Sequence, residues 1–307
     1  MRRILLALVL LIGAGLALPP LWFRLFREPA PELPPPGRRV ELASGAGVNI
    51  VEQGEGKPVV LVHGLPGTAY DWRATSAALA ARGLRALAYD RVGYGWSEPR
   101  VGDAFTLESN ARELLELLAA EDLHDATVVG WSYGGGTAIV AAQRDPSRIG
   151  RLVLVGSVGP GIEQSGPPPG VGLLFSDPVL AWLHAVPPLA HGLRAFVSAQ
   201  AFSDGPQPDW WLASVNANFA RPGVAQTWRN EGAGLTTQPV PDPTGLALPI
   251  LVIHGDDDRL VPIEIGRELE RRAPNAELVV VLGGSHALPV THPELLADEI
   301  LGWDSGS

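Results

Sequence analysis

The chain has no cysteine and one lysine, Lys57, in 307 residues. Without thiols, disulfides, thiolate catalysis and cysteine–zinc sites are excluded. The compartment stays open, because a disulfide-free protein can live on either side of a membrane. Nearly all positive charge is arginine, which reads as a composition bias of the source rather than as chemistry. Positive charge is scarce overall, with a formal net charge of −10. Residues 1–40 hold six Arg against Glu28 and Glu32, a local +4 that leaves −14 for the rest. An acidic body repels phosphate backbones, so nucleic acid is not an expected partner. Internal repeats are also missing. Apolar residues make up 46%, enough for a packed core, and 36 Gly with 29 Pro mean many turns.

Residues 1–28 are expected to be an N-terminal signal or anchor outside the fold. Arg2 and Arg3 precede an uncharged run from Ile4 to Phe23. Pro19 and Pro20 stop a helix near Leu18, after about 22 Å at 1.5 Å per residue, short of a roughly 30 Å bilayer core. Gly15-Leu16-Ala17 offers small residues for cleavage. Trp22, Phe23 and Phe26 interleaved with Arg24 and Arg27 resemble an interfacial belt and favour an uncleaved anchor. The expectation is a membrane-anchored or exported protein of the bacterial inner-membrane or periplasmic type. Residues 29–37, PAPELPPPG, read as a stiff polyproline spacer.

From Arg38 onward strands alternate with helices. KPVVLVHG (57–64), LRALAYD (84–90), ATVVGW (126–131), RLVLVGS (151–157), LPILVIHGD (248–256) and AELVVVLGG (276–284) read as buried strands, and RRVELA and VNIVEQ as two more. Helices are expected over 69–83, with Gly83 as a stop, over 106–121 with Thr106 as cap, and over 133–145, 263–273 and Pro293–Trp303. This order predicts an α/β fold with a mostly parallel sheet and helices on both faces. Residues 38–160 and 246–307 form its two parts. Residues 161–245, rich in Pro, Gly and Trp, read as an inserted cap over the carboxyl edge, where such sheets bind ligands.

Gly130-Trp131-Ser132-Tyr133-Gly134 follows a valine strand and opens a helix. A sharp strand-to-helix turn strains the serine and brings chain so close that side chains at Gly130 and Gly134 would clash. Ser132 is the candidate nucleophile, and the free N–H of Tyr133 a candidate oxyanion donor. A serine needs a base. His124 sits on a charged loop, His184 and His191 lie in the cap, His292 precedes a helix, and His63 and His254 each end a strand before glycine. His286, in GGSHALP after the last buried strand, remains as the base. Its orienting acid comes from HGDDDRLVP (254–262), with Asp258 preferred and Asp257 the alternative. Three acids in a row invite a metal reading, but no calcium-loop pattern follows. The second oxyanion donor is expected from VHGLPG (62–67), at the N–H of Leu65, since Pro66 has none.

HGLPG, DRVGYGWS, GWSYGG, HGDDDRLVP and GGSH…HPE, in this order, resemble the α/β-hydrolase family, in its branch with an HGxPG loop and a cap. The resemblance covers residues 38–307, the cap matching least. It implies a Ser132–His286–Asp258 triad, no cofactor and no metal. Haloalkane dehalogenases and epoxide hydrolases of this branch use an aspartate nucleophile; Ser132 argues against both. Val92 stands where proline is frequent. Asp90 and Arg91 are expected to hold the strand end.

The expected activity is hydrolysis of a small apolar carboxylic ester through an acyl-enzyme. Trp182, Trp210, Trp211 and Trp228 would fill the cap or line its pocket. Lactone hydrolysis, perhydrolysis and carbon–carbon bond hydrolysis would use the same triad. So would an N-terminal proline peptidase, gripping an amine through Glu163, Asp177, Asp204, Asp209 or Glu231. A non-catalytic ligand-binding module is the remote alternative.

Overall fold

A computed structural model describes Leu18 and residues 32–102, 105–164, 186–235 and 237–304. Apart from Leu18, the expected anchor lies outside these residues, as do Asp177, Trp182 and His184. Among the described residues no helix is long and apolar enough to cross a membrane.

Eight strands form one sheet: β1 Arg38–Glu41, β2 Gly47–Gln53, β3 Lys57–Val62, β4 Leu84–Tyr89, β5 Ala126–Trp131, β6 Ile149–Val155, β7 Ile250–Gly255 and β8 Ala276–Val281. Their order is β1-β2-β4-β3-β5-β6-β7-β8. β2 runs antiparallel to β1 and β4, and every later pairing is parallel. The strands are apolar runs because side chains alternate between two covered faces. Val60, Val62, Val128, Leu152, Leu154 and Val252 point to one face. Helices α2 (Leu107–Ala120), α3 (Tyr133–Arg144) and α7 (Ile263–Arg272) cover it. Val59, Leu61, Val129, Val153, Val155 and Ile253 point to the other, under α1 (Arg73–Ala81) and α9 (Pro293–Asp304). Thr106 caps α2, its Oγ1 accepting the Ser109 amide at 3.0 Å.

Three expectations need correction. β8 is the outer edge of the sheet, and only Val281 of it is buried. Its valine run reads as buried, but the edge position leaves its faces half covered. The helix expected over 69–83 begins as a 3₁₀ turn, Ala69–Trp72, before α1. The distal part of the expected spacer does not stand off the body. Leu33 is buried, Trp96 Nε1 donates to the Pro34 carbonyl at 2.8 Å, and the Gly37 amide donates to Asn49 Oδ1 at 2.8 Å.

Between β6 and β7 the described chain folds as a 3₁₀ turn, Ile162–Gln164, and three α-helices: α4 (Pro187–Ala199), α5 (Asp209–Phe219) and α6 (Val224–Gly234). α8 is a single turn, Leu288–Thr291, before α9.

Asp71, in the 3₁₀ turn, is a buried acid whose Oδ2 accepts the Thr68 amide at 2.9 Å. Burial pushes its carboxyl up to about 7; the Thr68 bond opposes this, and Asp90 adds to it. The folded state therefore keeps a proton that the unfolded chain releases near pH 4 (about 3.9 for a free Asp). The stability this group contributes is full below about pH 4 and lost as pH rises through about 7. Asp71→Asn, which keeps the acceptor, should therefore raise the melting temperature more at pH 8 than at pH 5. Parallel melting curves for the two proteins across that range would refute this.

Candidate active site

Ser132 joins β5 to α3 with φ +56° and ψ −120°. A non-glycine residue held there stores about 1–3 kcal/mol of backbone strain. Its surroundings hold it in place. The Ser132 amide donates to the Val155 carbonyl at 3.0 Å, and its carbonyl accepts the amides of Gly135 (3.0 Å) and Val158 (3.2 Å). A Cβ on Gly130 would stand 2.5 Å from Gly135 Cα, and one on Gly134 would stand 2.7 Å from the His63 carbonyl. Both glycines are therefore demanded by close backbone packing, as the spacing suggests.

The loop after β3 meets the same point. A Cβ on Gly64 would lie 2.8 Å from Ser132 Cβ and 3.4 Å from its Oγ. The amides of Leu65 and of Tyr133, first residue of α3, have no protein acceptor among the described residues. Both flank the serine.

Asp258 and His286 come together across the β7 and β8 loops. His286 Nδ1 lies 2.7 Å from Asp258 Oδ2, and both side chains are buried. Asp258 Oδ1 accepts the amides of Leu260 (2.9 Å) and Val261 (2.8 Å). Burial alone would raise the Asp258 carboxyl. The facing His286, the imidazole of His254 and these amides outweigh it and hold the group below the usual carboxylate range. Asp257, the alternative, is exposed and faces Arg259 at 3.4 Å. His286 also adjoins the residue before the serine. Trp131 Nε1 donates to the His286 carbonyl at 2.8 Å, and the two rings are 5.6 Å apart.

The other described histidines have different company. His124 is exposed beside Asp122, 3.1 Å away. His191 is exposed, with Nδ1 3.0 Å from the Asn216 amide nitrogen. The His292 carbonyl accepts the Leu296 amide at 3.1 Å, at the start of α9. His63 is wholly buried. Its Nε2 accepts the Arg91 amide at 3.0 Å, so Nδ1 carries the proton toward the Gly64 carbonyl at 2.9 Å. Burial, and then Arg91, push it well below the ordinary histidine range, so it stays neutral.

Sequence reading missed Asn218 and the contacts of His254 and Glu231, which lie around this loop. His254 Nε2 is 2.9 Å from the Val261 carbonyl and 3.5 Å from Asp258 Oδ2, so the acid sits between two imidazoles. Asn218 on α5 accepts the Gly95 amide and donates to the carbonyls of Pro66 and Gly67, each at 3.2 Å. Glu231 on α6 is fully buried. It receives Arg91 Nη1 at 3.0 Å on both oxygens, the Tyr94 hydroxyl at 2.9 Å and the Asn110 amide at 2.7 Å. The signal for these was faint: two polar residues in a segment whose periodicity is weak. Asp90 behaves as expected, gathering the amides of Ala69 and Trp96 and the side chain of Asn49 at the end of β4.

A family model described as the alpha/beta hydrolase fold matches residues 57–293. Similar curated proteins include 2-hydroxymuconate semialdehyde hydrolase of Pseudomonas putida, 30% identical over 87% of this chain and 94% of its own. Another is non-heme chloroperoxidase CPO-A1 of Kitasatospora aureofaciens, 32% identical over 76% of this chain and 86% of that one. Among solved structures, an esterase from Exiguobacterium antarcticum superposes with a TM-score of 0.72 at 18% identity, covering 88% of this chain and 100% of that chain. The fold, the family match and these relatives agree: the chain belongs to the alpha/beta hydrolase fold family and is a hydrolase of that family.

Proposed function

We propose that the protein is a serine hydrolase that cleaves carboxylic esters of apolar substrates through an acyl-enzyme, with Ser132, His286 and Asp258 as its triad. The observation that carries this reading is the 2.7 Å contact between Asp258 and His286 Nδ1, beside a serine held on a strained elbow. With Nδ1–H committed to the carboxylate, His286 Nε2 is free to take the serine proton as Oγ attacks the ester carbonyl. The developing oxyanion is received by the amides of Leu65 and Tyr133. His286 then returns the proton to the leaving alcohol. It next activates a water that releases the acid and restores Ser132. Asp258 stays ionised throughout and stabilises the imidazolium.

An aromatic wall beside His286 supports an apolar acyl group. Trp131 packs against Trp211 at 5.9 Å between ring centroids, Trp211 against Phe202 at 5.2 Å, and the Ala287 amide donates to the Ala201 carbonyl at 3.0 Å. Residues 161–245 would act as the cap that carries this wall. Trp228 packs on Phe219 instead, at 5.3 Å. Glu231 cannot grip a substrate amine, since Arg91 occupies its carboxylate, and this removes one support of the aminopeptidase alternative. A second reading is carbon–carbon bond hydrolysis of an oxo-dienoate, favoured by the 30% identity to the semialdehyde hydrolase.

The test is a rate series on p-nitrophenyl esters from acetate to laurate, run beside a 2-hydroxy-6-oxo-dienoate. Esters should turn over, Ser132→Ala should lose about 10⁵-fold or more in kcat, and Asp258→Asn about 10⁴-fold. Dienoate cleavage without ester turnover would favour the second reading, and no turnover with Ser132 unlabelled by a fluorophosphonate would sink both. Acid inactivation provides a separate check. Because Asp258 is held below the usual carboxylate range, its ionisation should not add to the acid limb of kcat/KM. That limb should have a slope of one proton down to about pH 4. A slope of two above that pH would remove Asp258 from its assigned role.

A further inference from the structure

The Gly64 carbonyl accepts three hydrogen bonds: His63 Nδ1 at 2.9 Å, the Gly67 amide at 3.1 Å and Arg91 Nη2 at 3.2 Å. In a planar trans peptide the carbonyl and the following N–H point in opposite directions. Fixing the Gly64 oxygen toward His63 and Arg91 therefore fixes the Leu65 N–H the other way. Gly64 itself abuts Ser132. What holds this carbonyl thus aims the donor on the far side of the same peptide.

His63 and Gly67 belong to the loop itself. Arg91 does not, and its guanidinium is placed by other contacts. Its Nε donates to the His63 carbonyl at 3.2 Å, Nη1 to Asn110 Oδ1 at 2.9 Å, and Nη1 again to both oxygens of Glu231 at 3.0 Å. Arg91 and Glu231 are both buried, so each is the other's charge partner in a region that water does not screen. Glu231 sits on α6, in the segment inserted between β6 and β7. A chain of contacts therefore runs from the inserted segment through one ion pair to the peptide beside the serine. Resting on the reading of Ser132 and Leu65 given above, we propose that Arg91 and Glu231 are positioning residues that aim the Leu65 amide at the developing oxyanion. The inserted segment then does more than bound a substrate pocket, because it completes the oxyanion site of the core.

Two variants test this. Glu231→Gln leaves Arg91 charged without its partner. The double variant Arg91→Met with Glu231→Leu removes both charges at similar volume, an exchange that buried ion pairs commonly tolerate without unfolding. The variants are compared on an ester and on its thionoester, whose sulfur is a weak hydrogen-bond acceptor and gains little from the amide. Both variants should lose about tenfold to hundredfold in kcat on the ester with KM nearly unchanged. The ester-to-thionoester rate ratio should fall in parallel. A merely structural role would depress both substrates alike and leave the ratio where it was. A folded double variant with the wild-type ratio overturns the proposal. If the wild type cleaves no ester and Ser132 takes no fluorophosphonate, the ester reading has failed on its own. The crystal structure of the double variant then decides: a Gly64–Leu65 peptide turned from its wild-type orientation supports the positioning role, and an unchanged one overturns it.

Discussion

Ser132 occupies a backbone conformation that it would leave if its neighbours allowed it. With φ at +56° the residue stores strain that only surrounding contacts can hold. Those contacts come from three directions: the β6 carbonyl of Val155 below, the first turn of α3 above, and Gly64 beside it. Each requires backbone to approach backbone, and this removes side chains at Gly64, Gly130 and Gly134. One constraint thus sets the composition of two separate loops. It also explains why the serine cannot be moved by one residue. A shift along β5 would replace a turn held by four main-chain bonds with a strand residue pointing into a covered face.

Around that turn the protein buries charge, which is costly unless every ion is paired. Arg91 meets Glu231, and Arg100 meets Glu113 at 2.7 Å, with Asn110 bonded to both arginines and to Glu231. Asp90 is held by two amides and the side chain of Asn49, with burial pushing its carboxyl up and these bonds and the charge of Arg221 opposing it. These groups lie where β4, α2 and α6 converge. An all-apolar contact would bury more cheaply, but it would not set the direction of the Gly64 carbonyl. Polar geometry at this junction supplies direction, and apolar packing on the two sheet faces supplies most of the cohesion.

Legibility in the sequence followed the range of the interactions. Strands β3, β5, β6 and β7 were plain because each lies between two covered faces and must be apolar throughout. β8 carries the same valine signature yet lies at the edge, since strand order depends on pairing partners that no local pattern records. Ser132, His286 and Asp258 stood out because each sits in a glycine-rich turn directly after a strand. Glu231 and Asn218 did not. They sit inside helices, and their partners lie more than a hundred residues earlier in the chain. His254 was set aside as a strand-end residue. Only the folded β7 loop brings it to within 3.5 Å of Asp258.

The histidines show how partner geometry sorts one side-chain type into different chemistry. His63 accepts an amide on Nε2 and gives its Nδ1 proton to a carbonyl. Both nitrogens are spent on neutral groups, a cation stands nearby, and burial penalises protonation; the ring is a fixed brace. His254 turns Nε2 toward the Val261 carbonyl and Asp258, while its buried Nδ1 has no partner among the described residues and faces Gly266. It lends its polarity to the acid but offers no route for a proton to travel. His286 places Nδ1 on Asp258 and has its main chain tied to Trp131. Its other nitrogen is the one in this set left for exchange. A carboxylate bonded to one nitrogen and a reachable second nitrogen are what a general base requires; His254 has Asp258 only at 3.5 Å and its Nδ1 packed against Gly266, whereas His286 holds the carboxylate at 2.7 Å.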